Sequence, residues 1–258
     1  ISSRDIKTLN FGNYGAKLVI ECTGAFNEFH KANAHLYGGI QRVIISAPAT
    51  DTPTFVYGVN HTTYQQESII SNASCTTNAL APIAKVLHEN FTITSGLMTT
   101  IHSYTNDQNL LDSKHKYLRR ARAAGLNMIP TSTGAAKAIG LVMPELQGKL
   151  NGFAIRVPTP DVSIVDLTCI VEKEVTKELI NETFLKASKT TMQNLILVDE
   201  DKRVSSDFIG SPYSAILIPD CTAVVNKNQL KVVAWYDNEW GYSMRLVDIA
   251  SFVAKSIP

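Results

Sequence analysis

The sequence lacks several features that would assign the chain to a common class of protein. Its four cysteines are far apart, the closest pair being Cys169 and Cys221 at 52 residues, which excludes a CxxC pair and zinc-ligand spacing. At this density a disulfide framework is not expected, and we predict a reducing, cytoplasmic location. No apolar run is long enough to cross a bilayer, and the polar start, ISSRDIKTLNF, has no signal-peptide pattern.

An excess of one charge is also absent. Lys and Arg number 24 against 23 Asp and Glu, for a formal net charge of +1, which argues against a general nucleic-acid-binding surface. The chain has 258 residues, of which 45% are hydrophobic and 18% charged. This length is sufficient for two compact units and a sizeable core. The totals therefore favour a soluble globular protein that binds neither membranes nor nucleic acid.

The first part of the chain has the pattern of a parallel α/β sheet. Runs rich in β-branched residues at 16–21 and 42–47 flank a helix-like stretch, and short apolar runs follow at 54–58 and 68–70. Strand, helix and strand in this order predict a βαβ crossover. No G-x-G-x-x-G turn is present, so a nucleotide-binding interpretation requires a preceding segment outside these residues.

The pattern then changes to a helix followed by consecutive strands. Apolar residues recur at helical spacing between residues 80 and 91, and Pro82 leaves open whether this helix begins near residue 79 or at Cys75. Strands are predicted at 95–102, 152–157, 161–172, 214–219, 221–225 and 230–236, and helices at 134–143, 177–189 and from 243 onward. This order indicates a mixed or antiparallel sheet with helices on one face.

Cys75 is the most informative single residue. It lies in SNASCTTN, at the entry to the predicted helix, where backbone N–H groups stabilise a nucleophilic thiolate. The alternative is a buried structural cysteine, which describes Cys22 and Cys169 in their apolar strands better. His102 ends a predicted strand before a polar loop and is the best candidate partner, because loops at strand ends often carry function. From context alone both interpretations of Cys75 stay open.

Three further features point to anions. The run KHKYLRRARAAG is either a solvated face, a subunit contact or a loop that neutralises phosphates. Thr133 and Gly134 would open a helix whose N–H groups bind an anion. Arg156 closes an apolar strand, and a buried arginine requires an anionic partner. Together these features predict a small phosphorylated substrate.

Seven motifs in order carry a resemblance to a known family. SNASCTTN, HSYTNDQ, LRRARAA, TSTGAAKA, GKLNG, RVPTPDVSIVDLT and WYDNEWGYS resemble those of glyceraldehyde-3-phosphate dehydrogenase of the phosphorylating type, from about Arg4 to the C-terminus. The resemblance implies a fold of α/β and α+β parts. Residues 1–74 would be the C-terminal portion of a Rossmann-like dinucleotide-binding domain, residues 75–237 a catalytic domain, and residues 238–258 a helix that packs back on the first domain.

The resemblance also implies an activity in glycolysis or gluconeogenesis. A homotetramer would oxidise glyceraldehyde 3-phosphate to 1,3-bisphosphoglycerate with hydride transfer to NAD or NADP. Cys75, as a thiolate, would form a thiohemiacetal and then a thioester that inorganic phosphate cleaves. His102 would form an ion pair with the thiolate, take the hydroxyl proton and steady the oxyanion.

Further site residues follow from motif position. Thr105 and Arg156 would hold the substrate's phosphate, and the attacking phosphate would be held by Ser74, Thr76, Thr133 and Gly134, with Arg120 nearby. The cofactor would contact Arg4, Thr23, Ser46, Asn238 and Tyr242, and no metal is implied. The loop at 103–125, called the basic loop below, would reach a neighbouring subunit's cofactor site.

The chain departs from the family pattern in three places. The glycine-rich turn and the ribose-binding acidic residue lack counterparts, and about 60 residues in at least two βαβ units are expected to be missing, so this chain alone should bind dinucleotide poorly. Ala79 stands where the family often has a second cysteine. Ser113-Lys114 stands where NAD-preferring and NADP-using relatives carry different residue pairs, so the use of NADP as cofactor stays open. The alternatives are an erythrose-4-phosphate dehydrogenase, a cysteine hydrolase and a non-catalytic assembly module.

Overall fold

The computed structural model describes residue 3 and residues 5–258. Contacts divide the chain into two compact units, one formed by Ile1–Ser74 with Met244–Pro258 and the other by Cys75–Ser243. The second unit thus ends at Ser243, whereas the sequence analysis placed its end at Asp237. The assignment of the units to a dinucleotide-binding and a catalytic domain remains a prediction.

The first unit contains the predicted parallel sheet, which has three strands. The strands are β1 (Leu18–Glu21), β2 (Arg42–Ile45) and β3 (Ile69–Ser71), in that order across the sheet. A short helix, α1 (Phe29–Ala32), and a 3-10 turn connect β1 to β2. Of the two short apolar runs, 68–70 contributes to β3, whereas 54–58 makes only an isolated bridge from Thr54 to Ser71.

Both faces of this parallel sheet are covered by apolar side chains. Val43, Ile45 and Ile69 belong to one buried cluster, whereas Ile44 and Ile70 belong to another, because successive side chains of a strand point to opposite faces. The second cluster also contains Leu246, Ile249 and Val253, which recur at helical spacing in α5 (Trp240–Ala254). The C-terminal segment therefore forms part of the core of the first unit.

The second unit contains a mixed sheet of eight strands with an additional edge pairing. The strands are β4 (Ile93–Ser103), β5 (Ile129–Ser132), β6 (Leu150–Val157), β7 (Ser163–Val171), β8 (Ile196–Val198), β9 (Ala215–Leu217), β10 (Ala223–Val225) and β11 (Gln229–Tyr236). Their order is β5-β6-β4-β7-β11-β9-β8, and β10 pairs with β11. Strand β4 runs parallel to β6 and antiparallel to β7, which confirms the predicted mixed sheet.

Three helices of this unit pack together with the sheet, and a fourth begins at its end. They are α2 (Cys75–Phe91), α3 (Ala135–Val142), α4 (Lys177–Ser188) and α5 (Trp240–Ala254). Helix α2 begins at Cys75 and continues through Pro82, which decides between the two alternatives for its start. In the described part of the chain, no helix is both long and apolar enough to span a bilayer.

Candidate active site

The side chains of Cys75 and His102 meet at one end of the large sheet. Cys75 is the first residue of α2, and His102 is the second-last residue of β4. The Cys75 Sγ lies 3.5 Å from the His102 Nε2. His102 is buried and Cys75 is half-buried. Regular elements therefore bring together two residues that are 27 positions apart.

The tautomer of His102 follows from its second nitrogen. Nδ1 lies 2.7 Å from the carbonyl oxygen of Ser103, and a carbonyl can only accept a hydrogen bond. Nδ1 therefore carries the proton, which leaves Nε2 of the neutral ring as an acceptor facing the Cys75 thiol. The pair is arranged for proton transfer from sulfur to nitrogen.

Burial favours the neutral form of both partners. Burial raises the pKa of the Cys75 thiol, and the positive charge of Arg156 and hydrogen bonds from Thr76 only partly oppose this. Burial also lowers the pKa of His102 to about 4, and Arg156 acts in the same direction. These shifts favour a thiol beside a neutral imidazole in the free protein, and the expected thiolate–imidazolium pair remains a prediction.

Tyr236 connects the elements that carry this pair, and the sequence analysis did not single it out. Its hydroxyl lies 2.9 Å from the Thr76 Oγ1 and 2.9 Å from the Thr100 Oγ1. Its ring meets the His102 ring edge-on at 6.0 Å between centroids. Burial raises the pKa of Tyr236 far above its ordinary value, so the hydroxyl stays neutral. Thr76, a predicted phosphate ligand, is buried against this tyrosine.

The two predicted ligands of the substrate phosphate lie together beside His102. Arg156 is paired with His102 across the parallel strands β6 and β4. Its Nη1 donates to the Ser103 carbonyl at 2.9 Å and to the Thr105 Oγ1 at 3.1 Å. Its buried Nε has no hydrogen-bond partner among the described residues. A partly unpaired guanidinium beside a hydroxyl is suited to bind an oxyanion.

Three of the predicted ligands of the second phosphate, Arg120, Thr133 and Gly134, lie around the end of β5. The Arg120 Nε donates to the Thr131 Oγ1 at 3.0 Å, and its Nη2 lies 3.4 Å from the Ser132 carbonyl oxygen. Thr133 follows directly, and its Oγ1 accepts from the Ala135 N–H at 3.2 Å where α3 begins. Gly134 precedes this helix and is exposed.

Two contacts of Arg120 were not predicted. Its Nη1 forms an ion pair with the carboxylate of Asp107, and Thr131 accepts from its Nε. The motif HSYTNDQ contains Asp107 and is the sequence signal that could have drawn attention to it. The acidic side chain places a negative charge directly beside a predicted anion ligand.

Asn238 is tied to the same strand ends as His102. The Ser103 N–H donates to the Ser163 Oγ at 3.0 Å, and that hydroxyl donates to the Asn238 Oδ1 at 2.6 Å. Asn238 is buried, and its Nδ2 lies 3.3 Å from the Glu239 Oε1. Tyr242 lies half-buried in the first turn of α5. The side-chain amide of Asn238 is therefore held in a fixed orientation.

A strained backbone position supports this cluster. Val162 has a φ of 66°, a left-handed conformation that β-branched residues rarely adopt. Its carbonyl accepts from the Ser103 Oγ at 2.8 Å, and its N–H donates to the Asp161 Oδ1 at 2.7 Å. Such strain persists where surrounding contacts determine it, and it is frequent at functional sites.

The remaining predicted residues belong to the first unit. Thr23 and Ser46 lie just beyond the carboxyl ends of β1 and β2, the edge where parallel sheets bind ligands. The Glu21 Oε1 accepts from the Thr23 N–H at 2.5 Å, and the Glu21 carbonyl accepts from the Ser46 N–H at 2.9 Å. Ser74 is the last residue of this segment of the unit. Arg4 lies outside the described residues.

The other cysteines differ from Cys75 in environment. Cys169 is buried in β7, as predicted, and burial raises its pKa to about 12. Cys22 was expected to be a buried strand residue, but it follows the end of β1 and is exposed. Within the residues that the structure describes, no group of three or more His, Cys, Asp and Glu side chains is placed to hold a metal ion.

Comparisons with known proteins identify the family. The model of the glyceraldehyde 3-phosphate dehydrogenase C-terminal domain matches residues 74–238. The chain is 52% identical over 257 residues to a glyceraldehyde-3-phosphate dehydrogenase of Geobacillus stearothermophilus, covering 98% of this chain and 77% of that protein. It is 54% identical over 246 residues to one of Mycobacterium leprae, covering 95% of this chain and 72% of that protein.

A chloroplast relative extends the comparison. The chain is 53% identical over 263 residues to glyceraldehyde-3-phosphate dehydrogenase GAPB, chloroplastic, of Arabidopsis thaliana. The alignment covers 100% of this chain but 59% of that protein. The chain thus spans less than two thirds of that relative and about three quarters of the bacterial ones. The family model and these identities establish that the chain belongs to the glyceraldehyde-3-phosphate dehydrogenase family, whose members are NAD(P)-dependent oxidoreductases.

Proposed function

We propose that the protein containing this chain oxidises glyceraldehyde 3-phosphate to 1,3-bisphosphoglycerate with NAD or NADP. The observation that carries the proposal is the 3.5 Å approach of the Cys75 Sγ to the acceptor nitrogen of buried His102. Arg156 and Thr105 lie beside this pair and supply a place for the substrate's phosphate. A nucleophile, a base and an anion site are the three parts that the reaction requires.

The first step is addition of the thiol to the aldehyde. As the sulfur–carbon bond forms, the thiol proton moves to the His102 Nε2. The resulting imidazolium then donates this proton to the former carbonyl oxygen, which gives the thiohemiacetal hydroxyl. Because the proton on Nδ1 is held in a hydrogen bond to the Ser103 carbonyl oxygen, Nε2 is the nitrogen that accepts and donates the proton.

The residues present are suited to a nicotinamide ring. Buried Asn238 presents an oriented amide next to exposed Glu239, and an amide suits the ring's carboxamide by donating and accepting hydrogen bonds. The cofactor, when bound, accepts the hydride from the carbon bonded to sulfur. During that oxidation His102 takes back the hydroxyl proton, and Cys75 is left as a thioester.

Inorganic phosphate would then release the product. A phosphate oxygen attacks the thioester carbon, the carbon–sulfur bond breaks, and sulfur leaves as a thiolate. The positive charge of Arg156 and the hydrogen bonds from Thr76 favour that anion. We assign the attacking phosphate to Ser74, Thr76, Thr133 and Gly134, with Arg120 nearby, and this assignment remains a prediction from the resemblance.

The cofactor choice is tested by comparing NAD with NADP. Lys114 next to Ser113 supplies a cation that would tolerate a 2′-phosphate, so we propose NAD with NADP accepted. Comparable kcat/KM values for both cofactors would support this, and loss of the NADP rate in Lys114→Ala would assign it to the lysine. If the unmodified protein shows no activity with NADP, the proposal is contradicted.

We also propose assembly into a cytoplasmic homotetramer. The outer face of the large sheet exposes Leu97, Phe153 and Ile170, and the basic loop exposes Leu110, Leu111 and Leu118. Exposed apolar groups of this kind are typical of protein–protein contacts. Light scattering after size-exclusion chromatography should give four times the chain mass. A monomer would contradict the proposal, and cell fractionation tests the location.

The decisive assay measures reduction of NAD by glyceraldehyde 3-phosphate and by erythrose 4-phosphate, each with and without phosphate. We expect the first aldehyde to be preferred and its rate to depend on phosphate. A rate indifferent to phosphate would favour the erythrose-4-phosphate enzyme, which the relatives' names do not favour. Ester hydrolysis without NAD would favour a cysteine hydrolase. No activity in a source protein of 258 residues would favour an assembly module.

A further inference from the structure

The guanidinium of Arg120 has contacts on two sides. On one side, the Nε donates to the Thr131 Oγ1 at 3.0 Å and the Nη2 lies 3.4 Å from the Ser132 carbonyl oxygen. On the other side, the Nη1 forms an ion pair with the Asp107 carboxylate. Only 14% of the Arg120 side chain is exposed, compared with 51% for Asp107. A mostly buried cation thus meets a solvent-facing anion.

The two sides of Arg120 have different consequences. Contacts with β5 orient the guanidinium through Nε and Nη2, and they do not involve Asp107. The carboxylate occupies Nη1, a donor that a phosphate would also use. Removal of the Asp107 charge would therefore leave Arg120 oriented and would make one donor available.

The charge of Asp107 also reaches the neighbouring anion site. Burial and the positive charge of Arg120 lower the pKa of Arg156, whereas Asp107 acts in the opposite direction. The second group facing Asp107 is His115, whose Nε2 lies 3.8 Å from the Asp107 Oδ1. Asp107 therefore reduces the positive potential that the two arginines offer to an anion.

We propose that Asp107 is an internal counter-anion that competes with inorganic phosphate for Arg120 and thereby sets the phosphate affinity of the site. This inference rests on the proposed function, in which Arg120 lies beside the attacking phosphate. Asp107 is an affinity-determining residue and takes no part in bond making. It keeps Arg120 neutralised until a doubly charged anion displaces the carboxylate.

The test uses the Asp107→Asn substitution, which keeps the size of the side chain and removes its charge. Inorganic phosphate is titrated into the protein by calorimetry at constant ionic strength, and the KM for phosphate is measured beside kcat. We expect the Kd and the KM for phosphate to fall about three- to tenfold, because a partly exposed unit charge beside the anion is removed. The KM for the aldehyde should change less, because Asp107 contacts Arg120 directly but reaches Arg156 only through its charge.

Two matched variants serve as controls. Asp107→Glu keeps the charge and should bind phosphate within about twofold of the unmodified protein. Asp112→Asn removes the same charge from the same loop, but Asp112 pairs with the exposed Arg122, so phosphate affinity should not change. An equal gain in Asp112→Asn would show a general charge effect and would overturn the proposal.

Arg120→Gln separates this inference from the function on which it rests. If Arg120→Gln leaves phosphate affinity unchanged, Arg120 is not a phosphate ligand and the assignment of the site fails. If Arg120→Gln weakens phosphate binding while Asp107→Asn weakens it or leaves it unchanged, only the counter-anion proposal fails. A gain in Asp107→Asn that disappears when Arg120→Gln is added supports the proposal.

Discussion

The strand-end cluster (Cys75, His102, Arg156, Tyr236 and Asn238) and the basic loop that follows it are held in place differently. Members of the cluster belong to α2, β4, β6 and β11 or directly follow β11, and buried hydrogen bonds join them. The basic loop contains a 3-10 segment, Leu118–Ala121, and combines backbone hydrogen bonds, such as that from the Ser113 N–H to the Ala121 carbonyl, with ion pairs of Arg120 and Arg122. The cluster is thus held by buried contacts between regular elements, whereas the loop adds partly exposed ion pairs to the hydrogen bonds of its turns.

This difference has a functional meaning. Proton transfer and hydride release require a fixed geometry, which buried neutral hydrogen bonds within regular elements supply. Anion binding must be reversible, and partly exposed ion pairs can exchange one anion for another at little cost.

Cys75→Ser should produce the largest loss. Serine keeps the small polar side chain but is a far weaker nucleophile at neutral pH, so we expect kcat to fall at least about a thousandfold. The circular dichroism spectrum should be unchanged. Cys221→Ser is the matched control, because Cys221 is exposed at the end of a 3-10 helix. Retained dehydrogenase activity in Cys75→Ser would refute the assignment of Cys75 as the nucleophile.

His102→Asn should lower kcat about 10²–10⁴-fold by removing the base. The pKa of His102, lowered to about 4, also predicts the pH dependence of acylation in the unmodified protein. The imidazole is neutral above that pKa and becomes protonated as pH falls through it. The single-turnover rate should thus persist down to about pH 5 and decline towards pH 4. A decline centred near pH 6.5 would contradict the buried neutral pair.

Tyr236→Phe tests the packing of the cluster. The variant leaves the hydroxyls of Thr76 and Thr100 without their shared partner, which should destabilise the fold by about 1–3 kcal/mol. It should also lower kcat, since Tyr236 fixes the start of α2 against β4. Tyr117→Phe in the basic loop removes an exposed hydroxyl and should affect neither. Urea unfolding and steady-state kinetics measure both properties.

Asp112→Asn should have the smallest effect on stability. Its ion pair with Arg122 is solvent-exposed, with about 60% of each side chain accessible. The melting temperature should change little, and less at high salt, because salt screens such pairs. A large drop in melting temperature would show that the polar contacts of Asp112, with Arg122 and with the Ala123 N–H, are needed to hold the loop.

The sequence predicted the cluster better than the loop, for physical reasons. Cys75 and His102 lie at element ends with clear apolar periodicity, and their elements form as expected. Whether α2 continued through Pro82 depended on its packing, which local propensity does not contain. Strands β5 and β8 were missed because one contains Pro130 and the other has three residues.

Contacts between distant residues were the least predictable. Tyr236 meets Thr76 across 160 positions of sequence, and no local pattern indicates that pairing. The ion pair between Asp107 and Arg120 likewise arises from the path of the loop. The burial of His102, which disfavours the imidazolium, could not be predicted because it depends on packing from several elements. The resemblance supplied residue identities but not these environments.

The carbonyl of Ser103 accepts hydrogen bonds from both the His102 Nδ1 and the Arg156 Nη1. The positive charge of Arg156 lowers the pKa of His102, so an anion bound to Arg156 should cancel part of that effect and make the imidazole a stronger base. By thermodynamic reciprocity, a proton gained by His102 should tighten the anion. Arrival of a phosphorylated substrate would thereby strengthen the base that is needed to transform it.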